Sequence, residues 1–334
     1  MSELPTQDQF AGLANQPPPA SGSKLPASAP RYLLALSLFL LTLFATTTLG
    51  AGWYLSTRTD VTTDLLPFLT PGTVVAVWSD PELLATGLMF SLPALLILLC
   101  HEMGHYLACR RYGLPATLPY FIPAPLGLGT LGAFIKIKAQ IRSKRELLDV
   151  GASGPIAGFL ALLPFLLYGI AKSQPAAVQL ATADDTSNLL LLLPGKCLGI
   201  ELAVRLFHGE LPQGAVMDLH PFALAAWVGL LATALNLLPL GQLDGGHILY
   251  AASSRLQRRS VFFLWGALAL AGLFLWPGWI LWCVVVLIVG LRHPRLIDEG
   301  EPLDPKRRLV AFACLVLFLL SFMPIPVSLV PIVG

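Results

Sequence analysis

The chain alternates long apolar runs with short polar connections along most of its length. Most of these runs reach the roughly 20 residues that a helix needs to cross a bilayer. They cover residues 32–55, 83–108, 147–170, 221–240, 261–276, 278–291 and 309–333, and Pro277 separates two of them. The pattern therefore predicts an all-α polytopic membrane protein with about six to seven transmembrane helices.

Composition agrees with a membrane protein and excludes an ordinary soluble domain. Hydrophobic residues make up 55% of the chain and charged residues 12%, against about 25% charged in soluble domains. If the N-terminus is cytosolic and the chain crosses seven times, only four of the 21 basic residues face the other side. These four are Arg58, Lys172, Lys196 and Arg205. This positive-inside pattern supports seven crossings and a cytosolic N-terminus. The expected location is a bacterial cytoplasmic membrane. No nucleic-acid motif appears, so no nucleic-acid partner is expected.

The domain organisation follows from the same pattern. Residues 1–30 are rich in Pro, Ala, Ser and Gln and contain no core-forming run, which predicts a disordered cytosolic tail. Residues 31–334 are expected to form a single membrane-embedded domain, whose catalytic core covers about residues 83–250.

One apolar run contains the motif His101-Glu102-Met103-Gly104-His105. Residues four apart lie on one face of a helix, so both imidazoles can reach one zinc ion. Glu102 is then close enough to act on a water beside that ion. The alternative is a pair of core histidines with an accidental glutamate, but ionisable groups inside a transmembrane run are costly and usually functional.

A catalytic zinc usually takes three protein ligands, and the best candidate for the third is Asp244. It follows Pro239 in "ALNLLPLGQLDGGHILY", where proline and several glycines predict a broken helix that lines a cavity. The alternative is an ordinary loop aspartate beyond a helix end. His101 precedes Arg110 by nine residues and Asp244 precedes Arg255 by eleven, which places both candidate ligands at a similar depth.

The segment 114–138 between the two motifs is apolar but contains four prolines, so it cannot be an ordinary helix. Its end, residues 134–138, alternates apolar and polar positions, which is typical of an amphipathic strand. We expect a re-entrant or interfacial β-hairpin next to the zinc site, with a plain surface loop as the alternative. A strand there could pair with an unwound substrate and bring Phe134, Ile135 and Ile137 into contact with it.

The two motifs, HEMGH and NLLPLGQLDGGH, resemble those of the site-2 protease family of intramembrane zinc metalloproteases. The resemblance covers roughly residues 83–249. The stretch "GTLGAFIKIKAQIRSKRELLDVGASGPIAGF" is similar to the branch found in bacteria and plastids. The loop after Ile170 is too short for the PDZ domain that some members insert.

The resemblance implies a role for each motif residue. His101, His105 and Asp244 would bind one zinc ion per chain, and Glu102 would be the catalytic base. Asn236 matches a family asparagine that holds substrate. His247 has no role implied by the family, which leaves a supporting or structural role for it.

The implied function is proteolysis of transmembrane segments in other membrane proteins, close to the cytosolic side. The expected partners are therefore transmembrane substrates and the lipid bilayer. A zinc transporter is the first alternative, but the C-terminal half contains no second stretch like HExxH. A catalytically inactive scaffold is the second, and the presence of every expected catalytic residue argues against it.

Overall fold

A computed structural model describes residues 29–56, 69–125, 127–177, 189–212 and 214–332. The predicted disordered tail lies outside these ranges, apart from its last two residues, which already belong to the first helix.

Helices dominate the described residues, as the apolar runs predicted. Helices α1 to α10 are Ala29–Ser56, Pro71–Ser79, Pro81–Arg111, Lys144–Lys172, Leu198–His208, Pro221–Asn236, Asp244–Ala252, Ser254–Phe274, Gly278–Val289 and Pro305–Ser321. Within the described part of the chain, only α1, α3 and α4 are long and apolar enough to cross a membrane. Helices α6 and α9 are apolar but shorter, so the expected count of six to seven spans is not confirmed.

Within the residues that the structure describes, three small antiparallel sheets accompany the helices, so the fold is not purely α. Each sheet has two strands, and the pairs are β1 with β2, β3 with β5 and β4 with β6. Strands β1 to β6 are Tyr120–Pro123, Thr130–Phe134, Gln174–Ala177, Leu189–Pro194, Ala215–Asp218 and Val327–Ile332.

The last apolar run differs from its prediction as a single helix over residues 309–333. Its helix ends at Ser321, and residues 327–332 form β6 instead. Pro324 and Pro326 stand between the two elements, and proline in a helix interior removes a backbone donor and clashes with the preceding turn.

Helix α3 carries the H-E-x-x-H motif, and a capping side chain at its start and arginines at its end define its bounds. The side chain of Asp80 accepts hydrogen bonds from the backbone N–H groups of Glu82 and Leu83, which caps the helix start. Arg110 and Arg111 lie in the last turn, where cations interact favourably with the helix dipole. Its 31 residues span about 46 Å, so both ends extend beyond a hydrocarbon core of about 30 Å.

The centre of the molecule is formed by α3, α4 and α6. Ile97, Leu162 and Trp227 from these helices belong to one buried cluster. A Cβ atom added to Gly104 of α3 would lie 2.4 Å from the Ser153 carbonyl oxygen of α4. Glycine therefore permits the close approach of these two helices.

The hairpin β1–β2 packs between α1 and α3. Phe121 of β1 is buried with Leu95 and Leu98, which lie one to two turns before the H-E-x-x-H motif. Gly129 in the turn has a φ of +82°, and a Cβ there would lie 2.6 Å from the backbone of Thr46 in α1. The predicted hairpin is therefore present, and it contacts the helix that carries the motif.

The predicted strand over residues 134–138 is wrong in its extent, because β2 ends at Phe134. Beyond it, Ile137 forms an isolated bridge with Ala116, and the backbone N–H of Lys138 donates to the Pro115 carbonyl. The chain stays extended there but pairs with residues before β1. The alternation in sequence reflected this extended path and not a regular ladder.

Candidate metal centre

The three ionisable residues of the motif lie at buried positions of α3. The exposed fraction is 4% for His101 and 7% for both Glu102 and His105. The helical spacing of four residues brings the two imidazole rings together at 4.9 Å between centroids. The sequence prediction that both rings share one helix face agrees with this placement.

Asp244 is the first residue of α7, and the break predicted around Pro239 lies between the end of α6 and this residue. The connection folds back tightly on the start of α7. A Cβ added to Gly245 would lie 2.0 Å from the Leu237 carbonyl oxygen, and one on Gly246 would lie 2.4 Å from the Gly241 carbonyl oxygen. The two glycines after Asp244 therefore allow the turn that directs its carboxylate toward α3.

Three ligand atoms converge, one from each of His101, His105 and Asp244, and we name this set the acceptor triangle. The Nε2 atoms of the two histidines are 3.2 Å apart, and each lies 3.2 Å from Oδ2 of Asp244. Ligands about 2.0–2.1 Å from a tetrahedral zinc ion lie about 3.3 Å from one another. The triangle therefore fits one face of a zinc coordination tetrahedron.

Neighbouring groups determine which ring nitrogen can bind a metal. The Nδ1–H of His105 donates a 2.7 Å hydrogen bond to the Val150 carbonyl of α4, which leaves its Nε2 as an acceptor. The Asn236 amide nitrogen lies 3.4 Å from Nε2 of His101, so this nitrogen also faces a donor. The bond from Nδ1 of His105 to a backbone carbonyl is of the kind that fixes the tautomer and orientation of a histidine ligand.

Glycines of α4 leave room for the two rings. A Cβ added to Gly154 would lie 2.1 Å from Nε2 of His105, and one on Gly158 would lie 3.1 Å from Cβ of His101. Sequence reasoning did not identify Val150 or Gly154 as parts of the site. The spacing of small residues in "GASGPIAG" was the available signal for a closely packed face, while a backbone carbonyl partner has no sequence signal.

Glu102 interacts with the triangle and with the segment that follows β2. Its carboxylate interacts electrostatically with His105 and Asp244 and with the backbone amide of Ile135. A buried carboxylate beside a candidate metal site is placed where a base for water activation is needed.

The three predicted substrate contacts differ in their exposure. The Phe134 side chain is 47% exposed. The Ile135 and Ile137 side chains are half-buried and pack against the small cluster of Cys109, Leu114 and Val150. Phe134 is therefore free to meet a ligand, whereas the side chains of Ile135 and Ile137 hold the segment against the protein.

His247, which the family resemblance left without a role, bonds to a residue far along the chain. Its Nδ1 is 2.9 Å from Nε2 of His293. Because His293 uses its Nδ1–H to donate to the Pro294 carbonyl, its Nε2 accepts and His247 donates. His247 therefore connects α7 to the segment between α9 and α10, and His293 is a partner that its sequence position did not reveal.

Comparison with known proteins adds a family and several relatives. The sequence model of peptidase family M50 matches residues 89–268. The chain is similar to "Probable zinc metalloprotease EGY1, chloroplastic" of Oryza sativa subsp. japonica, with 32% identity over 68% of the chain and 39% of that protein. It is 31% identical to "Probable zinc metalloprotease EGY2, chloroplastic" of Arabidopsis thaliana, over 76% of the chain and 44% of that protein.

A third relative covers more of the chain. "Probable zinc metalloprotease EGY1, chloroplastic" of Arabidopsis thaliana is 30% identical over 90% of the chain and 54% of that protein. The chain therefore spans about two-fifths to one half of the length of these curated relatives. No solved structure matches the chain.

The names of these relatives bear on the predicted location. Each name places its protein in a chloroplast, which conflicts with the prediction of a bacterial cytoplasmic membrane. Association with a membrane is supported by the apolar helices α1, α3 and α4.

Proposed function

Because the chain belongs to peptidase family M50, we propose that it is an intramembrane zinc endopeptidase of the site-2 protease type. It would hydrolyse peptide bonds in or near transmembrane segments of other membrane proteins, either to release a signalling fragment or to clear a membrane remnant. The observation that carries this proposal is the acceptor triangle, with its mutual distances of 3.2 Å, beside a buried glutamate.

In the proposed mechanism, His101, His105 and Asp244 would hold one zinc ion per chain. A bound zinc supplies Lewis-acid chemistry to a peptide carbonyl and to the attacking water. Glu102 takes a proton from that water and returns it to the leaving amine. The Val150 carbonyl accepts a hydrogen bond from the Nδ1–H of His105 and so keeps Nε2 of that ring directed into the triangle.

Asn236 and the hairpin are proposed to hold the substrate. The Asn236 amide lies 3.4 Å from Nε2 of His101, close enough to donate to a carbonyl oxygen bound at the open side of the triangle. Strand β2 pairs with β1 along one edge only, among the residues that the structure describes. Its other edge could receive an extended substrate strand, since a protease needs the scissile bond unwound and exposed.

The proposed topology keeps the six to seven spans and the cytosolic N-terminus predicted from sequence, with residues 31–334 as one membrane-embedded domain. Arg110 and Arg111 end α3, and Lys144 and Arg145 begin α4. His105 meets Gly154, whereas the earlier His101 meets Gly158, so the two helices run in opposite directions and their basic ends lie on the same side. By the positive-inside rule, we propose that the active site faces the cytosol, or its equivalent in an organelle.

The decisive test compares wild type with Glu102→Gln in membranes containing a tagged transmembrane substrate. The variant keeps the size of the side chain and removes the base. We expect turnover to fall by about 10² or more, with zinc content unchanged. Glu82→Gln, at the opposite end of the same helix, is the matched control and should cleave like wild type.

The outcome separates the proposal from its alternatives. A zinc-binding scaffold or transporter would hold zinc without cleaving the substrate in either form. Cleavage by Glu102→Gln at the wild-type rate, with zinc retained, would show that Glu102 is not the base.

A further inference from the structure

A second polar cluster joins the ends of three helices at the basic side of the molecule. It contains Tyr112, which follows α3, Asp149 of α4, and Asp304 and Arg307 at the start of α10, and we name it the Arg307 clamp. Asp304 caps α10 by accepting from the backbone N–H of Arg307 at 3.0 Å. The clamp is therefore built on well-defined helix ends.

Arg307 provides most of the hydrogen bonds in the clamp. Its Nε and Nη2 donate to the two carboxylate oxygens of Asp149, at 2.9 and 2.6 Å, and its Nη1 donates to Asp304 at 2.6 Å. Bidentate pairs between arginine and a carboxylate are stronger and more directional than single ionic contacts. The Arg307 and Asp149 side chains are only 24% and 25% exposed, so solvent screens this pair less than a surface pair.

Tyr112 extends the cluster to the helix that bears the H-E-x-x-H motif. Its hydroxyl donates to Oδ2 of Asp149 at 2.5 Å and accepts from Nη2 of Arg307 at 3.2 Å. The hydrogen bonds to Asp149 hold the pKa of Arg307 above its ordinary value, so the guanidinium stays charged. One arginine thereby ties the end of α3 to α4.

The clamp is one residue away from a support of the metal centre. Asp149 directly precedes Val150, whose carbonyl accepts the hydrogen bond from His105. A small shift of α4 along α3 would move this carbonyl and would bring Gly154 against the His105 ring, where an added Cβ is already excluded. The relative placement of the two helices therefore controls the orientation of a proposed zinc ligand.

We propose that Arg307 is a positioning residue for the metal centre, acting through Asp149 and the Val150 carbonyl on His105. The inference rests on the proposed function, since it assigns a support to the zinc ligands of that function. Arg307 lies outside residues 89–268, the part of the chain that the family sequence model matches. The C-terminal helix thus contributes to the geometry of a site whose ligands all belong to the matched region.

The test measures metal binding instead of proteolysis. Full-length protein in detergent is stripped of metal and titrated with Co²⁺, whose visible absorption reports ligand geometry, and Zn²⁺ affinity is measured by competition with a chelator. Arg307→Gln is compared with Arg308→Gln, which changes an adjacent arginine whose Nε donates to the Leu303 carbonyl. Arg307→Lys tests rescue by a conserved charge, and Tyr112→Phe removes a single hydroxyl as a milder variant.

We expect Arg307→Gln to lower Zn²⁺ affinity by about 10-fold and to change the Co²⁺ spectrum, since loss of supporting contacts around metal ligands costs 10–100-fold. Arg307→Lys should recover only part of the affinity, because a lysine ammonium keeps the charge but cannot make the bidentate hydrogen bonds of the guanidinium. Tyr112→Phe should shift both readouts in the same direction by a smaller factor. Arg308→Gln should match wild type.

The proposal is overturned if Arg307→Gln and Tyr112→Phe both keep the wild-type affinity and Co²⁺ spectrum, even where thermal stability falls. That result would assign the clamp a purely structural role and leave the protease proposal intact. A wild-type protein that binds neither ion would overturn the proposed function itself, and the positioning role with it.

Discussion

The acceptor triangle and the Arg307 clamp both join α3 to α4, but their chemistry is opposite. In the triangle, three groups that can each offer a lone pair meet at 3.2 Å, an arrangement that a shared cation stabilises. In the clamp, each carboxylate oxygen of Asp149 meets a donor from Arg307 or Tyr112. The first cluster is suited to hold an ion, whereas the second is complete with protein groups alone.

The two clusters also differ in how deeply they are buried. The histidines of the triangle are almost fully buried, while the Arg307 and Asp149 side chains of the clamp keep about a quarter of their surface exposed. Removing ligands of the triangle should therefore abolish metal binding. Changes at more exposed contacts should have smaller effects on metal binding, cleavage or stability. The following predictions use this difference, in order of decreasing effect.

The largest effect is expected from removing both imidazoles of the triangle. His101→Ala combined with His105→Ala should eliminate zinc binding, because the carboxylate of Asp244 alone cannot complete a site. Metal analysis of the purified protein measures this loss. His247→Ala is the control and should retain zinc, because its ring bonds to His293. Unchanged zinc in the double variant would place the metal elsewhere.

Gly154→Ala should weaken zinc binding by about 100-fold, near the upper end of effects seen when metal ligands lose their orientation. The added methyl would lie 2.1 Å from Nε2 of His105, so the ring or α4 must move. Gly266→Ala in α8 is the matched control, since nothing lies within 4 Å of its Cβ position. Zinc affinity equal to that of the control would mean that the helices adjust freely at this contact.

Replacing Ile135 with proline should separate substrate holding from metal holding. Proline removes the backbone N–H that faces Glu102, one residue beyond the end of β2. Cleavage of a transmembrane substrate should fall by about 10-fold, which is less than the 10²–10⁴-fold loss expected when the base itself is removed, because Glu102 remains. Zinc content should persist. Ile135→Val keeps the N–H and should behave like wild type, and equal cleavage by the proline variant would contradict a role for this segment.

The smallest effect is expected at the exposed ion pair between Arg145 of α4 and Glu301. Their side chains are 48% and 59% exposed, and the contact is 2.9 Å. Exposed ion pairs contribute about 0.2–1 kcal/mol, so Arg145→Ala should barely change thermal unfolding in detergent. Asp149→Ala, which breaks the clamp, should lower the unfolding midpoint more. Equal shifts would show that the clamp gains nothing from its burial.

Local patterns in the sequence predicted much of the helical fold and the composition of the candidate site. His101 and His105 share a face because their spacing matches the helix period, and the proline and glycines around Asp244 indicated the break after α6. The proline-studded segment between the motifs predicted the hairpin. Each of these inferences depends on residues that are neighbours along the chain.

Apolar runs alone did not determine the type or extent of every element. Residues 327–332 form a strand although they continue an apolar run, and β2 ends at Phe134 although the alternation continues. A short apolar run is compatible with either helix or strand, and its pairing partner decides between them. For β6 that partner is β4, more than a hundred residues earlier in the chain.

The supports of the candidate metal centre were decided by tertiary structure. Val150 lies 45 residues from His105, His293 lies 46 from His247, and Arg307 lies 158 from Asp149. These contacts use a backbone carbonyl, a single ring nitrogen and a guanidinium, none of which repeats at a helical or strand period. The sequence determines which side chains can bind a metal, because that depends on their chemistry and local spacing. The packing of distant helices decides which groups orient them, because a hydrogen bond depends on position in space and leaves no periodic trace along the chain.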